Sequence, residues 1–115
     1  MKYLFLTFMF FSFAGFANAA VETGPTQSPL KVAGLYQTTG NAVYIAFNTG
    51  SMPNCYNNSG GYLFNSHPNF DQIYAQVLTI MATGGIHGRV IFDTINPGAG
   101  QWSDCNILGF YLLPE

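Results

Sequence analysis

Charge is what this sequence has least of. Lys and Arg together number three, and Asp and Glu five, in 115 residues. So few cations exclude an ordinary nucleic-acid binder, whose affinity comes mostly from neutralised phosphates. No stretch makes a basic amphipathic helix for a membrane surface. Cysteine is equally scarce, limited to Cys55 and Cys105, and two cysteines without a nearby histidine pair make a poor zinc site. His67 and His87 stand twenty residues apart, in a loop and a strand, with no metal or base partner in reach of the sequence argument. Ser51, Ser59, Ser66 and Ser103 show no G-x-S-x-G elbow. The "SGG" and "TGG" stretches lack the rest of a phosphate loop. Asp93 and Asp104 read as solvated loop acids. No acid, base and nucleophile come together, so the chain is not read as an enzyme and no cofactor or metal is expected.

What is abundant is apolar residues, and they cluster first at the N-terminus. "MKYLFLTFMFFSFAGFANA" has a basic start at Lys2, an uncharged run of fourteen residues from Tyr3 to Phe16, and a small-x-small site at Ala17-Asn18-Ala19. This is the layout of a secretory signal peptide cleaved after Ala19. The run is shorter than the roughly 20 residues that span a bilayer, so no membrane span is expected after its removal. The chain from residue 20 keeps two cations, Lys31 and Arg89, against five acids, a net charge of −3. Its expected place is secreted or periplasmic. In that oxidising space two cysteines normally pair, which predicts a Cys55–Cys105 disulfide. A free buried thiol is the bland alternative.

The remaining chain makes one small domain, residues 30–115, after an extended segment over 20–29. "LKVAGLYQ" (30–37) reads as a strand, followed by a turn at "TTGN" (38–41). "AVYIAFN" (42–48) alternates, with Val43, Ile45 and Phe47 on one face and Ala42, Tyr44 and Ala46 on the other. "GGYLFN" (60–65) is a short third strand. In "NFDQIYAQVLTIMATGG" (69–85), Phe70, Ile73, Tyr74, Val77, Leu78 and Met81 form one helical stripe. Asn69 and Gln72 fit a capping box, Asp71 sits in the first turn, and Gly84-Gly85 ends the helix. "IHGRVIFDTI" (86–95) and "CNILGFYLL" (105–113) are two further strands around a Gly/Pro loop that holds Trp102. The last strand is apolar on both faces, with Ile107, Tyr111 and Leu113 on one and Leu108, Phe110 and Leu112 on the other. That pattern means a covered strand or an interface. The order β-β-β-α-β-β predicts a mainly β domain with one helix (α+β), a five-stranded barrel like the oligonucleotide/oligosaccharide-binding (OB) fold.

Binding residues are sought among the rings and the one core arginine. Tyr36, Tyr44, Tyr56, Tyr62, Tyr111 and Trp102 can stack on sugars or anchor an interface. Tyr56 and Trp102 lie in loops and are better candidates than the strand tyrosines, which have core roles open to them. Asn58, with Asn54, Asn57 and Ser59, could add polar contacts, although forming the turn also explains them. "NNS" (57–59) is a glycosylation sequon in a eukaryotic route. Arg89 shares a strand face with His87, Ile91 and Asp93. It could fork onto an acidic sugar, or pair locally with Asp93.

The stretch "YAQVLTIMATGG" followed by "GRVIFD", with two distant cysteines and the final "CNILGFYLL", resembles small exported bacterial proteins. Among these are the B subunits of subtilase-cytotoxin-type toxins. The likeness runs from Lys31 to Leu113, with its best points at Tyr74, Gln76, Leu78, Thr83, Gly84 and Arg89. It implies an OB barrel in a ring of five that binds cell-surface glycans, with helices lining the pore that receives a toxin A chain. The family's sialic-acid serine lies early in the first strand, where this chain has "PLKVAG". The functional expectation is a secreted, non-catalytic binding protein for a glycan or a partner protein, as a homo-oligomer. The alternative is a monomeric periplasmic or secreted accessory domain that meets one protein partner.

Overall fold

The computed structural model describes residues 20–38, 40–95 and 99–113. The expected signal segment, residues 1–19, lies outside them. The elements in chain order are β1 (Ala20–Thr23), β2 (Gln27–Leu30), β3 (Val32–Gln37), β4 (Ala42–Phe47), β5 (Gly60–Phe64), α1 (Phe70–Thr83), β6 (Ile86–Thr94), a 3-10 turn (Trp102–Asp104) and β7 (Cys105–Leu112). The protein is mainly β with one α-helix among the described residues, as its alternation predicts.

Two departures from the expected barrel stand out. Five strands, not three, precede the helix. The lead-in "AVET" pairs antiparallel with β6 (Ala20↔Thr94 to Thr23↔Ile91) and becomes β1. The expected first strand, 30–37, starts later as β3 (Val32–Gln37), and the end of the lead-in with Leu30 forms β2 (Gln27–Leu30). The strands form one open mixed sheet in the order β1-β6-β7-β5-β4-β3, with β2 also on β6. It is not a closed barrel. The pairs are antiparallel except β5 and β7, which run parallel at Tyr62↔Asn106. Lys31 alone separates β2, at one edge of the path, from β3, at the other. Asn48 pins this junction: its Oδ1 accepts the Lys31 N–H (3.0 Å) and its Nδ2 donates to the Pro29 carbonyl (3.1 Å).

The core lies on one face of the sheet. Val43, Ile45 and Phe47 of β4, Leu63 of β5, Val90 and Phe92 of β6, and Ile107 of β7 are buried there. The helix covers them with Ile73, Val77 and Ile80. This narrows the predicted stripe. Leu78 and Met81 are 44% and 45% exposed, on the far flank of the helix. Gly84 caps the helix in the left-handed conformation (φ +83°). The expected capping box does not form, because Asn69 makes no side-chain cap bond. Its backbone N–H instead donates to His67 Nδ1 at 3.0 Å.

The two-faced apolar pattern of β7 has a local cause. Phe92 pairs with Ile107 and Ile91 with Gly109, so the register slips by one residue at Leu108. A bulge of this kind inverts the phase of everything beyond it. Cys105 and Ile107 face the core before the bulge, and Phe110 and Leu112 pack against it afterwards. Tyr111 is left exposed.

Cys55 and Cys105 form a disulfide with S–S 2.03 Å and Cα–Cα 5.6 Å. It ties the loop before β5 to the first residue of β7, fifty positions on. No helix of the described residues is long and apolar enough to cross a membrane.

Candidate functional site

The face of the sheet opposite the core carries a row of direct cross-strand partners. Tyr36 pairs with Tyr44, Tyr44 with Tyr62, Tyr62 with Asn106, Asn106 with Asp93, and Asp93 with Val21. One end of this row is aromatic, Asn106 and Asp93 are polar, and exposed Val21 closes it. The pleat dictates it, since the residues alternating with Val43 and Ile45 must point away from the core.

Tyr44 is the centre of the aromatic end. Trp102 stacks on it at 4.7 Å between centroids, with planes 27° apart. Tyr36 also stacks on it at 5.9 Å, beside Trp102. Tyr56 and Tyr62 meet it edge-on at 6.1 and 6.2 Å. Together they leave Tyr44 only 2% exposed, so an outward side chain is buried by its neighbours. Burial, with the neighbouring Tyr56, Tyr36 and Asp104 charges, pushes the Tyr44 phenol up to about 12. The rings at the rim remain open: Tyr36 is 50% and Trp102 39% exposed. Their centroids lie 5.5 Å apart.

Glycines make this cluster possible. A Cβ on Gly60 would fall 2.2 Å from the Tyr44 hydroxyl oxygen and 2.7 Å from the Ile45 carbonyl. The Tyr36 ring lies over Gly34 in the same way, about 3.0 Å from where a Cβ would stand. The approach requires the missing side chain at Gly60, where backbone also stands in the way; at Gly34 the half-exposed Tyr36 ring would have to give only slightly.

Trp102 is delivered by the 3-10 turn, and Asp104 holds that turn together. Its Oδ2 accepts the backbone N–H groups of Gly100 (3.1 Å) and Gln101 (3.3 Å). Asp104 is 1% exposed, which corrects its reading as a solvated loop acid, and its Oδ1 has no hydrogen-bond partner among the described residues. Asp93 is a half-buried strand residue, not a loop acid. Burial raises its carboxyl, opposed by the Asn106 N–H that Oδ1 accepts and by nearby His67.

The candidate residues therefore divide. Trp102 and Tyr56 come together, their centroids 6.2 Å apart. Asn58 serves the loop: it sits at φ +54°, and its Oδ1 accepts the Asn54 N–H at 3.3 Å. Asn54 and Asn57 share this left-handed geometry, which asparagine tolerates better than most residues. Arg89 is elsewhere. It pairs with Tyr111 across β6 and β7 and lies over that ring at 5.7 Å. Its Nε is buried without a partner, and no Arg89–Asp93 ion pair occurs among the described residues. Of the histidines, His87 Nδ1 lies 2.6 Å from Ser28 Oγ. No group of three or more His, Cys, Asp or Glu suited to a metal occurs among the described residues. Tyr36 and Tyr44, expected among the core tyrosines of the strands, belong to this outward cluster. Tyr44's place among the outward residues of β4 was the available signal.

Compared with protein-family models, curated proteins and solved structures, the chain matches none, and nothing in them links it to the toxin B subunits.

Proposed function

We propose that this protein is a secreted, non-catalytic binding protein that holds a glycan against Tyr36 and Trp102. The observation that carries this is the pair of half-exposed rings mounted on buried Tyr44. A stack already packed from below presents a fixed, flat, amphipathic surface and loses little side-chain freedom on binding. We read the sheet as a partly open relative of the OB barrel. The support is that β2 and β3 are consecutive yet lie at opposite edges, and that β5 and β7 pair in parallel. On that reading β4 and β5, with the loop before β7, correspond to the face that such folds use for ligands.

Trp102 is the chain's sole tryptophan, so its fluorescence reports this face alone. Titration with oligosaccharides should shift its emission. Tyr36→Ala should weaken binding about tenfold, the scale of a stacking contact of roughly 0.5–1.5 kcal/mol. Trp102→Phe should retain part of the affinity that Trp102→Ala loses. A glycan array without hits would refute the glycan reading.

Self-association is a second reading, favoured by Leu78 and Met81 standing exposed on a helix whose one charge is Asp71. Sedimentation would separate a homo-oligomer from a monomeric accessory domain.

A further inference from the structure

We infer that the ligand of the Tyr36–Trp102 face is an uncharged saccharide, not an acidic sugar and not a nucleic acid. This rests on the glycan reading above and adds its chemical class. Aromatic faces on sheets stack on bases as well as on sugar rings. What separates these ligands is the charge beside the rings.

A forked cation contact is what most favours an acidic ligand, and the chain beyond residue 19 has two cations, Lys31 and Arg89. Lys31 precedes β3 by one residue and Tyr36 by five, roughly 15 Å along an extended strand. Arg89 lies four residues along β6 from Asp93, roughly 13 Å. Asp93 is itself three strands from Tyr44, a further ~14 Å at the usual spacing. The guanidinium is also engaged over Tyr111. Neither cation can fork onto a carboxylate or phosphate that rests on Trp102.

The charge that is close has the opposite sign. Asp104 belongs to the same three-residue turn as Trp102 and is buried beneath the rim. Its two hydrogen bonds, from Gly100 and Gln101, both go to Oδ2. A ligand on Trp102 lies within a Debye length of this carboxylate, ~8 Å at physiological salt. An anionic group would be repelled, while the apolar C–H face of a neutral sugar ring suffers no such penalty.

The test uses matched pairs, each a neutral oligosaccharide and its sialylated counterpart, on an array. The best pair is then taken into Trp102 fluorescence titration of the purified protein at low and high salt. The expected result is binding of the neutral member, with the sialylated one at least about tenfold weaker. Neutral binding should change little with salt or in Arg89→Gln, and should weaken about tenfold in Tyr36→Ala. Equal or tighter binding of the sialylated member would overturn this inference and leave the glycan reading standing. Neutral binding that is undiminished in Tyr36→Ala and leaves Trp102 emission unchanged would place the site elsewhere and also overturn it. No binding of either member would remove the glycan reading itself.

Discussion

Replacing Gly60 by alanine adds one methyl group where the outward face has no room for it. The new Cβ would stand 2.2 and 2.5 Å from Tyr44's Oη and Cζ, and 2.7 Å from the Ile45 carbonyl oxygen. Two of these three contacts belong to one ring, and that ring is hemmed in by Trp102, Tyr36, Tyr56 and Tyr62 and is 2% exposed. Overpacking of this kind costs about 1–3 kcal/mol, and the upper part of the range applies where the obstacle includes backbone. Thermal unfolding should then fall by roughly 10–20 °C for a domain of this size. Trp102 fluorescence should change as the stack is disturbed. A double-mutant cycle isolates the cause. In a Tyr44→Leu background, Gly60→Ala should cost at least about 1 kcal/mol less than in the native chain. Gly109 is the control, with nothing within 4 Å of its ideal Cβ and no positive φ. Gly109→Ala should be neutral or stabilise by up to roughly 1 kcal/mol. Equal effects of the two alanines, or strict additivity of Gly60→Ala with Tyr44→Leu, would refute the packing argument.

The disulfide closes a loop of fifty residues, so Cys55→Ser should lower stability by roughly 2–5 kcal/mol. Alkylation without reductant should find no free thiol. On the helix, Ile80→Ala should cost about 2–5 kcal/mol because Ile80 is fully buried. Leu78→Ala should stay within about 0.5 kcal/mol in a monomer, and a larger loss that depends on protein concentration would mean that a second chain covers it. Tyr44 titrates near 12 when folded, above the usual 10 of an unfolded tyrosine. Its contribution is therefore complete below pH ~10 and is lost as pH rises toward 12, by up to about 2 kcal/mol after solvent screening. Denaturant titrations across that range should show the loss in the native chain and a smaller one in Tyr44→Phe.

The elements were legible where the pattern is local. The alternation of β4 separates Val43, Ile45 and Phe47 from Tyr44 correctly, and Gly84 ends the helix as its left-handed geometry requires. Residues 20–23 were not legible, because "AVET" has no strand pattern of its own and is held by pairing with β6. The two-faced β7 misled for the opposite reason. Its sequence is regular, and only the register against β6 reveals that Leu108 is an extra residue. Leu78 belonged to the apolar stripe by spacing, yet the helix turns Ile73, Val77 and Ile80 fully inward, with Phe70 and Tyr74 partly so, and leaves Leu78 on its outer flank. At the site, each ring was visible singly. That Trp102 comes to rest on Tyr44, fifty-eight positions earlier, follows from the parallel pairing of β5 with β7, which no local spacing encodes.

The disulfide sits between the two loops that furnish the rings. Tyr56 follows Cys55 directly, and Trp102 stands three residues before Cys105. With the bond intact, the two rings are held in one arrangement before any ligand arrives, so the entropy of bringing them together belongs to folding. Reduced, the same loops could drift apart while the strands still pair, and each binding event would carry that ordering cost itself. Affinity would then fall under reducing conditions before the fold does. On the proposed binding role, the affinity of this face is thereby coupled to the redox state of its surroundings.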